Sequence, residues 1–182
     1  MDDNDIVRQV NNGNKNIFKI LVKKYQKPLH RFIYPKVFGA DVADDLTQET
    51  LFRAYRKLDT YNPKGMSFKN WLYLQARSVV SNNIKKKTGY GNLLKDVKNR
   101  SNMEPDHGND TGLNEERDIR RICVDEKLKL LPDEERELVI LFFKNGMTKK
   151  EIAEIWKCHP KTISRHLDRL MEKIVPLMGE CL

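Results

Sequence analysis

Residues 148–173 read TKKEIAEIWKCHPKTISRHLDRLMEK, a run with the length and pattern of two short helices joined by a tight turn. Thr148, with Glu151 three residues on, forms a capping box that opens the first helix. That helix carries Ile152, Ala153 and Ile155, and the small Ala153 lets a second helix cross it closely. Lys157 to His159 supply the turn, and Pro160 suits the first position of the second helix. Ile163, Leu167, Leu170 and Ile174 then recur at i, i+4, i+7 and i+11 as a core stripe. With that stripe inward, Lys161, Thr162, Ser164, Arg165, Asp168 and Arg169 turn outward. Cations and short hydroxyls so placed pair with phosphates or with base edges in a major groove. The run holds 7 basic residues and 4 acids. A charged helical hairpin with no DNA to bind is the plainer alternative, but cap, small residue, turn and stripe all agree on a duplex reader.

Upstream, Pro132 suits another first helical position, with Asp133, Glu134 and Glu135 in the first turn where the helix dipole favours acids. That helix carries Leu138, Leu141 and Phe142 and ends at Asn145 and Gly146. Further towards the N-terminus the composition thins. Of 15 aromatic residues, 12 lie in residues 1–90 and none in 91–141. Residues 88–112 hold four Gly, one Pro and many Asn and Asp, too little apolar surface to offset the entropy of ordering them. The chain therefore reads as all-α, with two small helical domains, 1–90 and 124–182, joined by a flexible linker, 91–123.

The first domain has three expected helices. Residues from Asn14 to about Val37 place Ile17, Phe18, Leu21, Val22 and Tyr25 at helical spacing, with Pro28 and Pro35 expected to break or kink the run. A second helix from Asp41 sets Leu51, Tyr55 and Leu58 on one face. A third begins near Ser67 and buries Phe68, Trp71, Leu72, Ala76 and Val79, which makes Trp71 a core residue and not a wedge for DNA. The three form a small bundle.

Charge divides along the same boundaries. Residues 1–90 carry 17 Lys and Arg against 8 Asp and Glu, net +9, whereas 124–182 carry 11 of each, net 0. The excess of a +8 chain thus lies wholly in the first domain and points to a polyanion partner. Other classes find little support. No run of about 18 apolar residues exists, so no membrane insertion is expected, and the acidic, polar start MDDNDIVRQV lacks the features of a signal peptide. Cys123, Cys158 and Cys181 are few and scattered, which argues against a disulfide scaffold and for a reducing cytoplasm. Phosphate-binding glycine patterns and HExxH are absent. Cys158, His159 and His166 are too sparse for zinc, and His30 and His107 are isolated. No metal, cofactor or catalytic residue is expected.

The run ADDLTQETLF over residues 43–52, followed by FRAYRKLDTYNPKGMSFKNWLYLQAR, resembles region 2 of the bacterial sigma-70 family of RNA polymerase sigma factors. Leu130, Pro132, Glu135 and Arg136, leading into Gly146-Met147-Thr148 and Glu151-Ile152-Ala153, resemble region 4. Two regions and a short linker resemble the extracytoplasmic function (ECF, group 4) subfamily. The resemblance implies that the first domain binds the β′ clamp helices of core RNA polymerase and recognises and opens the minus-10 element of promoter DNA. It implies that the second domain reads the minus-35 element and meets the β flap, and that an anti-sigma factor is a partner.

The residues fit those roles. Asp44, Asp45, Gln48 and Glu49 form a polar patch at i, i+1, i+4, i+5, which repels DNA and receives basic residues of a protein partner; capping of the helix start is the alternative for the two aspartates. In the loop over 60–67, Tyr61 can stack on an unpaired base, Asn62 can read its edge and Lys64 can hold phosphate. A plain Asn-Pro turn is the alternative there. On the next helix Asn70, Tyr73, Arg77 and Ser81 form an outward polar stripe ending in Lys85, suited to tracking a DNA backbone. In the second domain Lys161, Thr162, Ser164, Arg165 and Arg169 face the minus-35 duplex. The chain departs from the family pattern at Ser78, Asn82 and Lys85, and at the turn. Lys157 stands there for the usual Gly, suggesting a differently shaped turn, and His159 stands for the usual Ser. Two rivals stay open at this point, a helix-turn-helix regulator that works without polymerase and a helical adaptor that binds no DNA.

Overall fold

The first twelve residues carry Ile6, Val7 and Val10 at helical spacing among acids and amides, and they fold into a helix that the reading of an acidic, polar start passed over. The structure, a computed structural model, describes residues 1–37, 39–91, 123–124 and 126–179. Every secondary-structure element among the described residues is helical. The chain divides into two compact units, Met1–Pro105 and Asp106–Leu182. The expected linker falls almost wholly outside the described residues, as do His107 and Cys181.

In the first unit, α1 (Asp3–Asn11) is capped by Asp2 and buries Ile6, Val7 and Val10. A short 3-10 turn, Lys15–Ile17, leads into α2 (Phe18–Val37), which runs unbroken through Pro28 and Pro35. The expected break does not occur. An interior proline costs about 3 kcal/mol, but Leu29, Phe32 and Ile33 between the two are fully buried. Each such side chain contributes about 1.5–3 kcal/mol, so packing outweighs the lost hydrogen bonds.

Helix α3 (Ala40–Arg56) starts at Gly39 and turns Ala43, Leu46, Leu51 and Ala54 inward. Its buried Thr47 and Thr50 donate their hydroxyls to the carbonyls of Ala43 and Leu46, each at 2.7 Å. Helix α4 (Phe68–Gly91) packs against both α2 and α3. Because it meets two neighbours, it buries Phe68, Trp71, Leu72, Tyr73, Ala76, Val79 and Val80, far more of its circumference than one amphipathic stripe.

In the second unit, α5 (Asp133–Val139) has Pro132 as its cap residue, one position earlier than expected. It continues as a π-turn, Ile140–Lys144, closed by a bond from the Asn145 N–H to the Ile140 carbonyl at 2.9 Å. Gly146 then takes φ +60°. Helix α6 (Lys149–Trp156) opens with the expected capping box, in which Thr148 and Glu151 satisfy each other's backbone N–H. Helix α7 (Pro160–Met178) has Pro160 at its first turn and His159 as its cap, the imidazole Nδ1 accepting from the Lys161 N–H at 3.2 Å. Ile163, Leu167 and Leu170 are buried and Ile174 half-buried, as the stripe requires. Lys157 adopts φ 54°, ψ 46°, so the turn keeps the left-handed shape a glycine would take and is not reshaped. Among the described cysteines, Cys158 is free and Cys123 is disulfide-bonded.

Candidate nucleic-acid and protein interfaces

The inward residues of α3 dictate what it shows to solvent. With Leu46, Thr47, Thr50 and Leu51 buried, Asp44, Asp45, Gln48 and Glu49 all stand exposed on the opposite side. Asp41 is the acid of the first turn. Asp44 and Asp45 lie beyond that turn, so capping does not account for them. His30 of α2 brings its Nε2 to 3.5 Å from the Asp44 carboxylate and stacks on Tyr34. One turn past the patch on the same helix face is Phe52, 61% exposed, with the Arg56 guanidinium 5.9 Å from its ring centre. Phe52 borders a groove of about 430 Å³ formed with Phe18, Val22, Leu51 and Tyr55, with Lys15 and Lys19 at its edge. Sequence reasoning did not single out Phe52. Its spacing of three, four and seven residues from Glu49, Gln48 and Asp45 was the available signal.

The loop between α3 and α4 departs from expectation at Tyr61. That residue is 7% exposed, its ring set edge-on to Phe68 and tilted against Trp71 at centroid distances of 5.6 and 5.5 Å. Its hydroxyl lies 2.7 Å from Asn4 Oδ1 and 3.1 Å from the Met66 carbonyl. Burial, and then the carboxylates of Asp2 and Asp3, raise the phenol pKa. A ring so packed is not presented for stacking on a base. Asn62 and Lys64 are exposed. The Asn62 side chain accepts from the Lys64 N–H at 3.1 Å, and its carbonyl accepts from Gly65 at 3.1 Å and Met66 at 3.4 Å. An Asn-Pro turn is therefore present, and it holds its polar tips to solvent.

The stripe expected along α4 holds in part. Arg77 is half-buried and Ser81 and Lys85 are exposed, but Asn70 and Tyr73 are each only 1% exposed. Both point into the bundle because α4 is wrapped on two sides. Tyr73 meets Phe32 edge-on at 5.1 Å, and burial pushes its phenol pKa up. The polar face of α4 therefore begins at Arg77 and widens through Ser81, Asn82, Lys85 and Lys86, all four exposed.

In the second unit Lys161, Arg165 and Arg169 are exposed at i, i+4 and i+8 along α7, with Asp168 exposed among them. Thr162 and Ser164 are half-buried, and Lys149 of α6 donates to the Ser164 hydroxyl at 3.1 Å. The outward face of α7 is therefore a cationic row backed by hydroxyls. Its frame rests on Arg136, which is buried and donates to the carbonyls of Leu128, Lys129 and Leu131 at 2.8, 3.1 and 2.7 Å. Buried Glu137 accepts from the Trp156 indole at 2.9 Å, tying α5 to α6. Among the described residues no cluster of three metal-ligating side chains exists, and no helix is long and apolar enough to cross a membrane.

Comparison with known proteins gives these surfaces a context. The family model for sigma-70 region 2 matches residues 21–89, and that for sigma-70 region 4 matches residues 121–174. An ECF RNA polymerase sigma-E factor of Haemophilus influenzae is 28% identical over 189 residues, covering 97% of each chain. The ECF RNA polymerase sigma factor BldN of Streptomyces coelicolor is 35% identical over 81 residues, 44% of this chain and 31% of that protein. Among solved structures, the sigma factor RpoE of Bartonella quintana, crystallised with the anti-sigma factor NepR, shares the fold with a TM-score of 0.69 at 23% identity. That likeness covers 89% of this chain and 96% of RpoE.

Proposed function

The chain belongs to the sigma-70 family of bacterial RNA polymerase sigma factors, and we infer from the arrangement of its two regions that it works as an ECF-type initiation factor. It binds core RNA polymerase and directs it to promoter DNA. The observation that carries this is the succession of region 2 and region 4 in one short chain, with likeness to an ECF factor along 97% of the sequence. The family is not one of enzymes, and strand opening needs only binding energy for unpaired bases. A cytoplasmic location follows from that work.

The roles of the surfaces form part of the proposal. Residues 1–90 engage polymerase and open the minus-10 element, and 124–182 read the minus-35 duplex. Asp44, Asp45, Gln48 and Glu49 receive the β′ clamp helices, and exposed Phe52 gives that acidic face an apolar anchor. Asn62 and Lys64 meet the opened strand, while Arg77, Ser81 and Lys85 track its backbone. Lys161, Thr162, Ser164, Arg165 and Arg169 face the minus-35 groove, and the same unit meets the β flap. Buried Tyr61, Asn70 and Tyr73 support these surfaces from beneath. An anti-sigma factor is the natural regulator, a reading supported by the shared fold with RpoE, which was crystallised with one. The test is transcription with purified core polymerase on templates selected from a random library. A promoter-specific start that depends on this chain is expected, and its absence on every template refutes the proposal.

A further inference from the structure

The region 2 match begins at residue 21, so α1 precedes the matched segment. Its first turn is nevertheless tied to the α3–α4 loop. Asp3 accepts from the Tyr25 hydroxyl at 2.5 Å and from the Lys24 ammonium at 2.6 Å, which fastens α1 to α2. The next residue, Asn4, meets the Tyr61 hydroxyl at 2.7 Å, and that hydroxyl reaches the Met66 carbonyl at 3.1 Å. A phenol has one hydrogen to donate. The Tyr61 hydroxyl donates to Asn4 Oδ1 at 2.7 Å and shares that hydrogen with the more distant Met66 carbonyl at 3.1 Å. The hydroxyl then joins the two ends of the loop, residues 61 and 66, and references both to α1.

We propose that α1, through Asn4 and the Tyr61 hydroxyl, sets the backbone of residues 62–66, making Asn4 and Tyr61 positioning residues for capture of an opened base. The inference rests on the reading of Asn62 and Lys64 as contacts to the minus-10 strand. Asn62 follows Tyr61 directly, and its carbonyl receives the Gly65 and Met66 N–H groups. A Met66 carbonyl released from Tyr61 therefore loosens the turn that orients the Asn62 side chain. Ring packing against Phe68 and Trp71 does not depend on the hydroxyl, so Tyr61→Phe separates positioning from core packing.

The experiment uses the full chain with core polymerase on a promoter it opens, with 2-aminopurine in the minus-10 element reporting strand opening. Asn4→Ala, Tyr61→Phe and the double variant are compared on the native template and on templates carrying each other base at the captured position. Each single variant is expected to slow opening about fivefold, the rate equivalent of one hydrogen bond worth about 1 kcal/mol. Each should also narrow the ratio between preferred and other bases, which general loss of stability would not do. The double variant should be no slower than the worse single one, because both act through one chain of bonds. Additive losses, or an unchanged base ratio in Tyr61→Phe, overturn the proposal. Asn62→Ala separates the two levels. If it flattens base preference while Tyr61→Phe does not, only the positioning inference fails; if neither does, the reading of the loop fails with it.

Discussion

Replacing Arg136 by Met keeps an apolar stem of similar reach and removes the group that organises the entry to the second unit. In the native fold its Nε donates to the Leu128 carbonyl and its Nη2 to those of Lys129 and Leu131. Nη1 meets the exposed carboxylate of Asp133 at 2.9 Å, a contact worth little in solvent. Leu128 keeps a second partner, the Leu131 N–H at 3.2 Å, and the Lys129 carbonyl lies near the surface. The Leu131 carbonyl is the one left unsatisfied, at about 1–3 kcal/mol. With the loss of donors from a charged group, the total is about 3 kcal/mol, a large share of the stability of so small a unit. Trp156 is the sole tryptophan of the second unit and Trp71 that of the first, so a Trp71→Phe background lets indole fluorescence follow the second unit alone. In urea, at about 1 kcal/mol per molar, the midpoint should fall by about 3 M. Arg136→Lys reaches fewer carbonyls at once and should recover about half. A midpoint shift below about 0.5 M in Arg136→Met would refute the reasoning.

Three further outcomes are expected. Asp45→Lys with Glu49→Lys should abolish binding to core polymerase while leaving the unfolding midpoint unchanged, and Phe52→Ser should weaken it by about tenfold, as loss of a buried anchor does; surface plasmon resonance on immobilised core enzyme reads both. Lys161→Ala or Arg165→Ala should lower affinity for the minus-35 duplex and reduce the slope of log affinity against log salt by about 1 each, measured by fluorescence anisotropy of the holoenzyme on labelled DNA. The first unit should also lose stability in alkali. The folded phenols of Tyr25, Tyr61 and Tyr73 are all raised above 10, so above pH 10 the unfolded chain releases protons that the native state retains. Stability is then full below pH 10 and declines above it, each retained proton steepening the fall by about 1.4 kcal/mol per pH unit. All six tyrosines lie in residues 1–90, so the second unit should not share this fall, as paired urea titrations at pH 9 and 11 would reveal.

The acidic patch of α3 and the cationic row of α7 were legible because each helix buries a single face, and the apolar spacing then dictates what is left outside. The same logic misplaced Asn70 and Tyr73. Helix α4 lies against two helices, and a residue on the flank of its apolar stripe is covered by the second of them. Tyr61 was misread for a related reason. Its ring packs on Phe68 and Trp71 of α4 and its hydroxyl meets Asn4 of α1, and α1 has its three core residues spread through ten dominated by acids and amides, too sparse a signal to register as an element. The unbroken α2 shows packing overriding a local rule, since the penalty at Pro28 and Pro35 is visible in the sequence and the burial of Leu29, Phe32 and Ile33 between them is not. At Lys157 the local rule was right about the backbone and wrong only in doubting that a lysine would accept it.

Asp168 stands exposed between Arg165 and Arg169 on α7. Against arbitrary DNA a carboxylate in that row meets phosphate and finds no compensation, whereas opposite a suitably placed cytosine it can accept from the exocyclic amine. Its effect is felt mainly in time. If α7 reads the minus-35 duplex as proposed, the residue should shorten each visit to a wrong sequence more than a visit to the right one. Because a chromosome offers on the order of a million or more competing positions, the length of those failed visits would then govern how quickly such a factor finds its promoters. On that reading, a single acid among cations would weaken the grip and speed the search.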